Sequence, residues 1–391
     1  MSPRIAFNAQ LLSYRQWYRS AGISRYIDRT LAHLAPLLDP ERLAVFVGPD
    51  VPIGAPSLAG LRIIRTRLPT RHPVVRIAWE QIALPLLLGR WRADLLHAPA
   101  YVAPLASPCP TIITFHDLSF YLVPEAFNRQ NRFYLQTFSR LAARRARRII
   151  AVSECTRSDV IRLLGIRPED VAVVYNGVDP SFRPEPDPAR LARFRQEKGL
   201  PDRFILFLGT LEPRKNLRGL LYAYAEARRR GVTEPLIIAG GRGWQVQPIL
   251  RVLDELGLRS SVRLTGFVGS DEQPLWYNAA TLFAFPSRYE GFGLPVVEAM
   301  ACGTPVVASN RASLPEIVGD AGVLVDPDDV DKLATALVSV LRDEALRREL
   351  ARRGLERARR FSWEAAARAT VTVYHEALAY PHSAIPVMRR D

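Results

Sequence analysis

The chain has 391 residues, of which 48% are hydrophobic and 24% charged, and this composition is that of a globular protein long enough for two domains. Its formal net charge of +14 indicates an acidic partner, a class that includes nucleic acid, anionic lipid and phosphorylated substrates. The three cysteines, Cys109, Cys155 and Cys302, form no C-x-x-C pair, which argues against a disulfide framework or a zinc site and favours a reducing cytoplasm.

The first half of the chain alternates β-like runs with amphipathic helical stretches, which predicts a parallel sheet covered by helices. The first strand follows the N-terminus without the long apolar stretch of a signal peptide, so we expect no cleaved leader. The uncharged stretch Leu95–Phe115 contains four prolines, which disfavour a membrane-spanning helix, and we expect a soluble protein. The predicted strands of this half are Ile5–Phe7, Ala44–Val47, Arg62–Ile64, Thr111–Phe115 and Arg148–Val152.

Two histidines lie at or near predicted strands of the first half. His116 follows a strand directly, which is a plausible place for contact with a reacting group. The alternative is a hydrogen-bonded core histidine paired with Asp117. His97 has a similar pattern, and we interpret it as structural.

Three arginine-rich runs are typical of solvated helix faces, although their combined charge could hold the protein near anionic lipid or a pyrophosphate-linked partner. These runs are Leu141–Ile150, Ala227–Gly231 and Ala351–Arg360. The stretch Val173–Pro188 is rich in Pro, Gly, Asn and Asp, and it predicts the connection between two domains.

After this connection the alternation restarts, so we expect two doubly wound halves that face each other across a cleft. Ligands in such sheets bind beyond the carboxyl ends of the strands, and the loops there are the first candidates for a site. The predicted strands of the second half are Phe204–Gly209, Pro235–Gly241, Val262–Gly266, Thr281–Phe285 and Thr304–Ser309.

Lysine is rare in this chain: only Lys198, Lys215 and Lys332 occur among 53 lysines and arginines. Such a bias mostly reflects genome composition. A lysine that remains can nevertheless be one whose compact point charge is needed. Lys215 stands beside Arg214 in the stretch GTLEPRKNL, where we predict an open loop, whereas the other two lysines lie in ordinary helical surroundings.

A Gly-Phe-Gly turn precedes a short apolar helix, and two glutamates eight positions apart, Glu290 and Glu298, enclose it. Pro295 suits the first helical turn and Gly303 the helix stop. The glycines and the helix N-terminus favour phosphate, which the glutamates would repel. Sugar hydroxyls on either side of a nucleotide-sugar diphosphate would suit the two carboxylates. Alternatively, Glu298 only complements the helix dipole and Glu290 is a solvated loop residue.

The end of the chain contains one metal-like motif and one more helix. Asp326-Pro327-Asp328 imitates a D-x-D metal motif, but it lies where a loop leads into the predicted helix Asp329–Leu341. We therefore assign it to helix capping and expect no metal. The last helical stretch runs from Ser362 to Tyr380.

Taken in order, the motifs resemble the family 4 glycosyltransferases, which are retaining enzymes of the GT-B fold, and most closely their bacterial mannosyltransferase-like members. The resemblance covers nearly the whole chain. It rests on E-x7-E at Glu290 to Glu298, supported by AGISRY, DLLHAPAYVAP, TFHD, AVSECTRSD and GTLEPRKNL. It implies an α/β fold of two Rossmann-like doubly wound domains, with the terminal helix crossing back to the first. The expected ranges are 1–178 for the acceptor-side domain, 179–361 for the donor domain and 362–391 for the terminal helix and tail.

The resemblance also implies roles for individual residues. Glu290 would contact the donor sugar, and Glu298 the ribose of the nucleotide. Lys215, with Arg214, would neutralise the leaving diphosphate. Where many relatives carry an arginine this chain has Thr210, so Arg214 or another arginine is expected to compensate. The implied catalytic residues are Glu290, His116 and Lys215, and the implied donor-binding residues are Gly22, Arg214, Lys215, Gly291, Phe292, Gly293, Leu294 and Glu298.

The implied reaction is retaining, metal-independent transfer of a hexose, with mannose and GDP-mannose preferred, from a nucleotide diphosphate sugar to a glycan or lipid-linked acceptor. It would serve cell-surface polysaccharide synthesis in the cytoplasm, with peripheral contact to an anionic membrane and no cofactor. The alternatives are a nucleotide-sugar epimerase of the same fold, a non-catalytic sugar-nucleotide sensor and a basic nucleic-acid-binding protein. No RRM, zinc-finger or compact helix-turn-helix pattern supports the last, and we expect no nucleic acid partner.

Overall fold

The structure is a computed structural model that describes residues 2–14, 21–52, 54–241 and 246–379. Parallel strands alternate with helices along these residues, as the sequence predicts. The strands are β1 (Ile5–Ala9), β2 (Leu43–Val47), β3 (Arg62–Arg65), β4 (Leu95–Ala98), β5 (Thr111–Phe115), β6 (Arg148–Ala151), β7 (Val171–Val173), β8 (Ile205–Leu208), β9 (Leu236–Ala239), β10 (Val262–Gly266), β11 (Leu282–Phe285), β12 (Val306–Ser309) and β13 (Val323–Val325).

The α-helices cover both faces of the sheets and the domain junction. They are α1 (Ala21–Leu34), α2 (Pro73–Ala78), α3 (Leu84–Trp91), α4 (Ser119–Leu122), α5 (Arg129–Arg145), α6 (Glu154–Leu164), α7 (Pro188–Lys198), α8 (Leu217–Arg229), α9 (Val246–Glu255), α10 (Gln273–Ala279), α11 (Leu294–Ala301), α12 (Leu314–Val318), α13 (Val330–Arg342), α14 (Glu344–Ala358) and α15 (Trp363–Ala379). A π-helical turn, Trp79–Ala83, joins α2 to α3.

Two all-parallel sheets form the centres of two domains. The first has the order β3-β2-β1-β4-β5-β6-β7 and the second the order β10-β9-β8-β11-β12-β13. In each sheet the direction of strand progression reverses once, between β1 and β4 and between β8 and β11. The loops that leave such neighbouring strands diverge to opposite faces and open a crevice at the carboxyl ends. The predicted pair of doubly wound halves is therefore confirmed.

All ten predicted strands are present, with ends that differ by at most two residues, but three further strands were missed. β4 lies between β1 and β5 at the centre of the first sheet, yet its sequence is only four residues before a proline-rich stretch. β7 and β13 are three-residue strands at sheet edges. Runs of three residues carry too little periodicity to predict a strand.

The last helix crosses back to the first domain, as predicted. In α15, Trp363 and Tyr374 are buried in the same apolar cluster as Phe7 of β1. The backbone at Ser362 and Trp363 lies so close to Gly177 that a side chain at that glycine would overlap it, which fixes where the chain returns. The tail at 380–391 lies outside the described residues.

His97 is buried in β4 and serves this crossing. Its Nδ1 lies 2.7 Å from the Tyr374 hydroxyl of α15, and its Nε2 lies 2.8 Å from Thr114 Oγ1. Burial, together with the neighbouring His116, lowers the pKa of His97 to about 3, so the ring is neutral in the folded chain at neutral pH. These contacts agree with the structural interpretation of His97.

The free energy of unfolding should fall as the pH is lowered from 6.5 towards 3. Only the unfolded chain protonates His97 in this range, because its folded pKa is depressed to about 3 from the ordinary 6.5. One such group costs roughly 1.4 kcal/mol per pH unit. Urea unfolding at several pH values should show a smaller slope in His97→Gln. His375→Gln, which changes an exposed ring of the same helix, should keep the wild-type slope. An unchanged slope in His97→Gln would contradict this assignment.

Candidate active site

The candidate site begins where β8 and β11 lie side by side, at the reversal of the second sheet. After β8 the chain runs to a tight turn, Pro213–Lys215, which begins with a proline, a residue suited to the first position of a helical turn. After β11 it reaches Glu290 and the Gly-Phe-Gly turn. Parallel strands deliver both loops to the same edge of the sheet, so residues far apart in sequence meet there.

Glu290 is buried, and both oxygens of its carboxylate are bonded. Lys215 Nζ lies 2.6 Å from Oε1 and Arg214 Nη1 lies 2.9 Å from Oε2. Ser287 Oγ donates a third bond to Oε1 at 2.6 Å. Burial alone would raise the pKa of Glu290, but Arg214 and Lys215 outweigh it and lower the pKa to about 2. Glu290 is therefore an ionised, oriented carboxylate and not the solvated loop residue of the alternative interpretation.

Lys215 is also buried, so the prediction of an open loop is wrong. Its ammonium lies 4.7 Å from the centre of the Phe285 ring as well as against Glu290. Burial lowers the pKa of Lys215, Arg214 lowers it further, and Glu290 opposes both effects. The sequence could not indicate this burial because its cause, Glu290, lies 75 residues further along the chain.

The turn and the short helix after Glu290 form as predicted. Gly293 has a φ of +100°, which favours glycine, and the helix α11 starts at the next residue with Pro295 in its first turn. The helix ends before Gly303, whose φ is +74°. Phe292, Gly293 and Leu294 thus lie at a helix N-terminus, where N–H groups without an intrahelical partner can donate hydrogen bonds to an anion.

Glu298 is buried within α11 and is bonded from both domains. Tyr277 Oη donates to its Oε2 at 3.0 Å, and Arg25 of α1 forms an ion pair with its Oε1. The second arm of the Arg25 guanidinium donates to Gln273 Oε1 at 2.9 Å. Sequence reasoning missed Arg25 and Tyr277, although Arg25 lies in the AGISRY motif from which only Gly22 was selected. Arg25 could have been selected because it is a cation within that motif to which no role had been given.

His116 meets the Gly-Phe-Gly turn from the first domain. A Cβ at Gly291 would overlap the carbonyl oxygen of His116, so only glycine allows this approach. The His116 side chain is half-buried and its Nε2 lies 2.7 Å from the carbonyl oxygen of Pro99, which makes Nε2 the protonated nitrogen. Burial lowers the pKa of His116. The hydrogen-bond partner is therefore Pro99, whereas Asp117 accepts from Ser119.

Further hydrogen bonds join the two domains beside the Gly-Phe-Gly turn. Ser153 Oγ and Thr156 Oγ1 donate to the carbonyl oxygen of Gly291 at 2.5 and 3.1 Å. Glu316 of the second domain accepts from the backbone N–H groups of Glu154 and Cys155 at 3.0 and 3.2 Å, and so caps α6 across the junction. The AVSECTRSD motif therefore positions the second domain's turn.

Gly22 was predicted to approach the phosphates, and Arg214 or another arginine was predicted to compensate for the arginine that is missing at Thr210. Gly22 lies in the first turn of α1, and a Cβ placed on it would meet no atom of the described residues within 4 Å. Arg214, the expected substitute for an arginine at 210, is held by Glu290, by Glu212 at 2.8 Å and by the Tyr289 carbonyl at 3.1 Å. Arg25, which pairs with Glu298, is a second arginine near α11.

The Asp326-Pro327-Asp328 motif was assigned to capping, and the structure corrects the residue that caps. Asp329 accepts from the N–H of Lys332 and is the N-cap of α13. Asp326 and Asp328 instead pair with Arg311, both at 2.7 Å. Within the part of the chain that the structure describes, no cluster of three or more His, Cys, Asp or Glu residues could hold a metal ion.

Two family models match the chain, one in each half. The model of "Glycosyltransferase Family 4" matches residues 20–182, and that of "Glycosyl transferases group 1" matches residues 190–357. The O-antigen chain mannosyltransferase B of Escherichia coli is 34% identical over 373 residues, which are 91% of this chain and 96% of that protein. The chain belongs to glycosyltransferase family 4. The serotype-specific mannosyltransferase WbdA of Escherichia coli is 34% identical over 282 residues, which are 68% of this glycosyltransferase but 34% of WbdA.

Solved structures show the fold of this glycosyltransferase. The Anabaena protein HepE, in complex with UDP and glucose, superposes with a TM-score of 0.74 at 23% identity and covers 95% of this chain and 99% of its own. WaaG, a glycosyltransferase involved in lipopolysaccharide biosynthesis, has a TM-score of 0.71 at 18% identity over 94% and 99% of the two chains. The GT-B fold is therefore confirmed. None of the helices in the described ranges is both long and apolar enough to cross a bilayer.

Proposed function

We propose that this glycosyltransferase moves mannose from a nucleotide diphosphate sugar, with GDP-mannose as the preferred donor, to a glycan or lipid-linked acceptor with retention. The observation that carries the proposal is the site around α11. Two buried carboxylates, Glu290 and Glu298, stand on either side of a helix N-terminus, and Lys215 and Arg214 lie against the first. The mannosyltransferases among the relatives, one of them of the O-antigen chain, support mannose and a role in cell-surface polysaccharide synthesis.

The cations suit the departure of a diphosphate. Lys215 has three N–H donors, and Glu290 occupies one of them, so others remain for phosphate oxygens. The N-terminus of α11 adds backbone N–H groups. In the proposed step the bond between the sugar C1 and the diphosphate oxygen breaks, and the acceptor oxygen bonds C1 on the same face. The acceptor proton passes to the departing phosphate, so no protein nucleophile is required, and electrostatic stabilisation is the main contribution of the protein.

His116 completes the proposed site from the first domain. Its Nε2–H is used by the Pro99 carbonyl, so the neutral ring keeps a lone pair on Nδ1. Nδ1 can accept a hydrogen bond from a sugar hydroxyl. Because burial holds the pKa of His116 below its ordinary value, this acceptor persists at neutral pH.

We place the reaction in the cytoplasm, at the inner face of the membrane.

A panel of nucleotide sugars, offered to the purified chain with and without glycan acceptors, tests the proposal. We expect binding to favour GDP-mannose, and we expect the mannosyl product to keep the donor's anomeric configuration. Isomerisation of the donor without an acceptor would favour the epimerase. Binding without turnover would favour the sensor, and salt-sensitive binding to nucleic acid without donor binding would favour a nucleic-acid-binding protein.

Transfer should continue in EDTA. The diphosphate charge is met by Lys215, Arg214 and a helix N-terminus in this proposal, and the two aspartates of the D-x-D imitation are neutralised by Arg311. Initial rates with EDTA, and with EDTA followed by manganese, are the measurement, and a known metal-dependent transferase serves as the positive control. Complete loss of transfer that manganese restores would overturn the metal-independent mechanism.

A further inference from the structure

A cavity of about 930 Å³ lies at the edge of the first sheet where its strands begin. Its charged lining residues are Arg4, Arg42, Arg92, Asp94 and Arg147. All of them except Arg92 directly precede a strand, namely β1, β2, β4 and β6. Because these strands are parallel and lie next to one another or one strand apart, the residues before them gather at one edge. We call this cavity the amino-edge pocket.

The amino-edge pocket lies at the opposite edge of the sheet from the candidate active site. Pro110, which lines the pocket, directly precedes β5, whereas His116 directly follows that strand. The strand has five residues, so at about 3.3 Å per residue the two positions are roughly 20 Å apart. The volume of the pocket is within the range of small-molecule sites, about 300–1,000 Å³. A ligand bound here would therefore be additional to the proposed donor.

The charge of the pocket is strongly positive. Four arginines line it against one aspartate, and that aspartate, Asp94, already accepts from the backbone N–H of Arg4 at 2.8 Å. His375 of α15 is the remaining ionisable group of the lining and adds no negative charge at any pH. Cations gathered in one cavity repel one another, so a bound anion with several negative charges would be stabilised there.

Two of the four arginines have partners within the protein. The helix α3 ends at this edge, and Arg4 Nη1 donates to the carbonyl oxygen of its last residue, Trp91, at 3.2 Å. This contact meets the negative end of the helix dipole. Arg42 Nη1 donates to the Ser2 carbonyl at 2.7 Å, and its Nε lies 3.7 Å from Asp39. Arg4 and Arg42 therefore have structural roles in the wall of the pocket.

The other two arginines, Arg92 and Arg147, have no such role. Neither guanidinium has a hydrogen bond or an ion pair within the described part of the chain. Arg147 is half-buried, so its charge is only partly solvated. Arg92 is exposed and ends α3 with a φ of +54°, a left-handed position where glycine is the usual residue. Capping of helix ends thus accounts for Arg4 but leaves the charges of Arg92 and Arg147 without a partner.

We propose that the amino-edge pocket binds a soluble diphosphate or polyphosphate, with Arg92 and Arg147 as the residues that contact it. The planar guanidinium group donates parallel hydrogen bonds to two oxygens of one phosphate, and two such groups match a ligand with two phosphates. The site is separate from the cleft between the domains, and the proposal does not depend on the proposed reaction.

Equilibrium dialysis with radiolabelled inorganic pyrophosphate counts the anion sites of the full chain without any assay of transfer. The wild type should bind one equivalent in the amino-edge pocket. The double variant Arg92→Gln, Arg147→Gln should bind this equivalent at least about tenfold more weakly, because it removes two charge-assisted donors. Arg359→Gln with Arg360→Gln, which removes the same charge from exposed positions of the second domain, should bind like the wild type. No membrane is present, so the measurement concerns a soluble anion.

Lys215→Met separates this pocket from the proposed donor site, where the same probe can bind. It should leave unchanged the equivalent that the Arg92, Arg147 variant loses, and circular dichroism checks that all variants are folded. Binding that Lys215→Met abolishes and the Arg92, Arg147 variant retains would overturn the pocket while supporting the donor site. Lower thermal stability of the Arg92, Arg147 variant, without a pyrophosphate site in the wild-type pocket, would assign both arginines to the helix ends and also overturn the proposal.

Discussion

Replacing Lys215 by methionine is expected to slow sugar transfer by about 10²–10³-fold, the usual cost of removing one preorganised donor from developing negative charge. Methionine keeps an apolar stem under the Phe285 ring but removes the ammonium that lies 4.7 Å from the ring centre. The substitution also removes one of two cations that hold Glu290 ionised. Initial rates at saturating donor measure the effect, and thermal unfolding separates it from loss of the fold.

The burial of Lys215 changes what this experiment must control. A lysine in an open loop could be replaced without loss of stability. Replacing the buried Lys215 leaves Glu290 with Arg214 and Ser287 as its partners, so some loss of stability is expected. Lys332→Met is the matched control, because Lys332 is exposed and its one ion pair among the described residues is with Asp329 on the surface of α13. A wild-type rate and donor affinity in a folded Lys215→Met would remove Lys215 from the site.

Glu298→Gln should weaken the binding of free nucleotide diphosphate by roughly ten- to a hundredfold. A hydrogen bond from a hydroxyl to a charged acceptor contributes about 1.5–3 kcal/mol, and in the proposed site Glu298 accepts from the ribose. Glu290→Gln should leave the binding of free nucleotide intact, because the free nucleotide carries ribose and diphosphate but not the transferred hexose that Glu290 contacts in the proposed site. It should instead depress turnover and alter the discrimination between donor sugars.

Calorimetry of both variants with the free nucleotide is the measurement. Glu316→Gln is the control: Glu316 is also an interdomain carboxylate, but it caps α6 and has no proposed contact with the donor, so its replacement should not change nucleotide affinity. Equal weakening by Glu290→Gln and Glu298→Gln, or no weakening by Glu298→Gln, would defeat the division of roles between the two carboxylates.

The sequence was sufficient for the architecture because the fold depends on local patterns. Apolar runs and amphipathic stretches alternate regularly, and the glycines and proline around α11 act within a few residues of themselves. The edge strands β7 and β13 were missed because three residues carry little periodicity. The helix at Gly303 ended as expected, since a left-handed residue is a local requirement.

The site could be predicted as a set of residues but not as a set of contacts. The ion pair of Lys215 with Glu290, and the pair of Arg25 with Glu298, join residues that only the order of the strands and the closure of the cleft bring together. The same limit explains the wrong prediction of an open loop at Lys215. A motif names the chemistry of a residue, whereas its burial depends on partners elsewhere in the chain.

In the ligand-free chain, Arg25 competes with the nucleotide for Glu298. If a ribose is to use Glu298, it must displace or share a guanidinium that is attached to the opposite domain. The measured dissociation constant of the nucleotide then equals the intrinsic constant multiplied by one plus the equilibrium constant of the internal pair. The strength of the pair between Arg25 and Glu298 thus determines the nucleotide concentration at which the cleft becomes occupied. A chain with a weaker cation at this position would fill at lower nucleotide concentration and hold its domains together less firmly when empty.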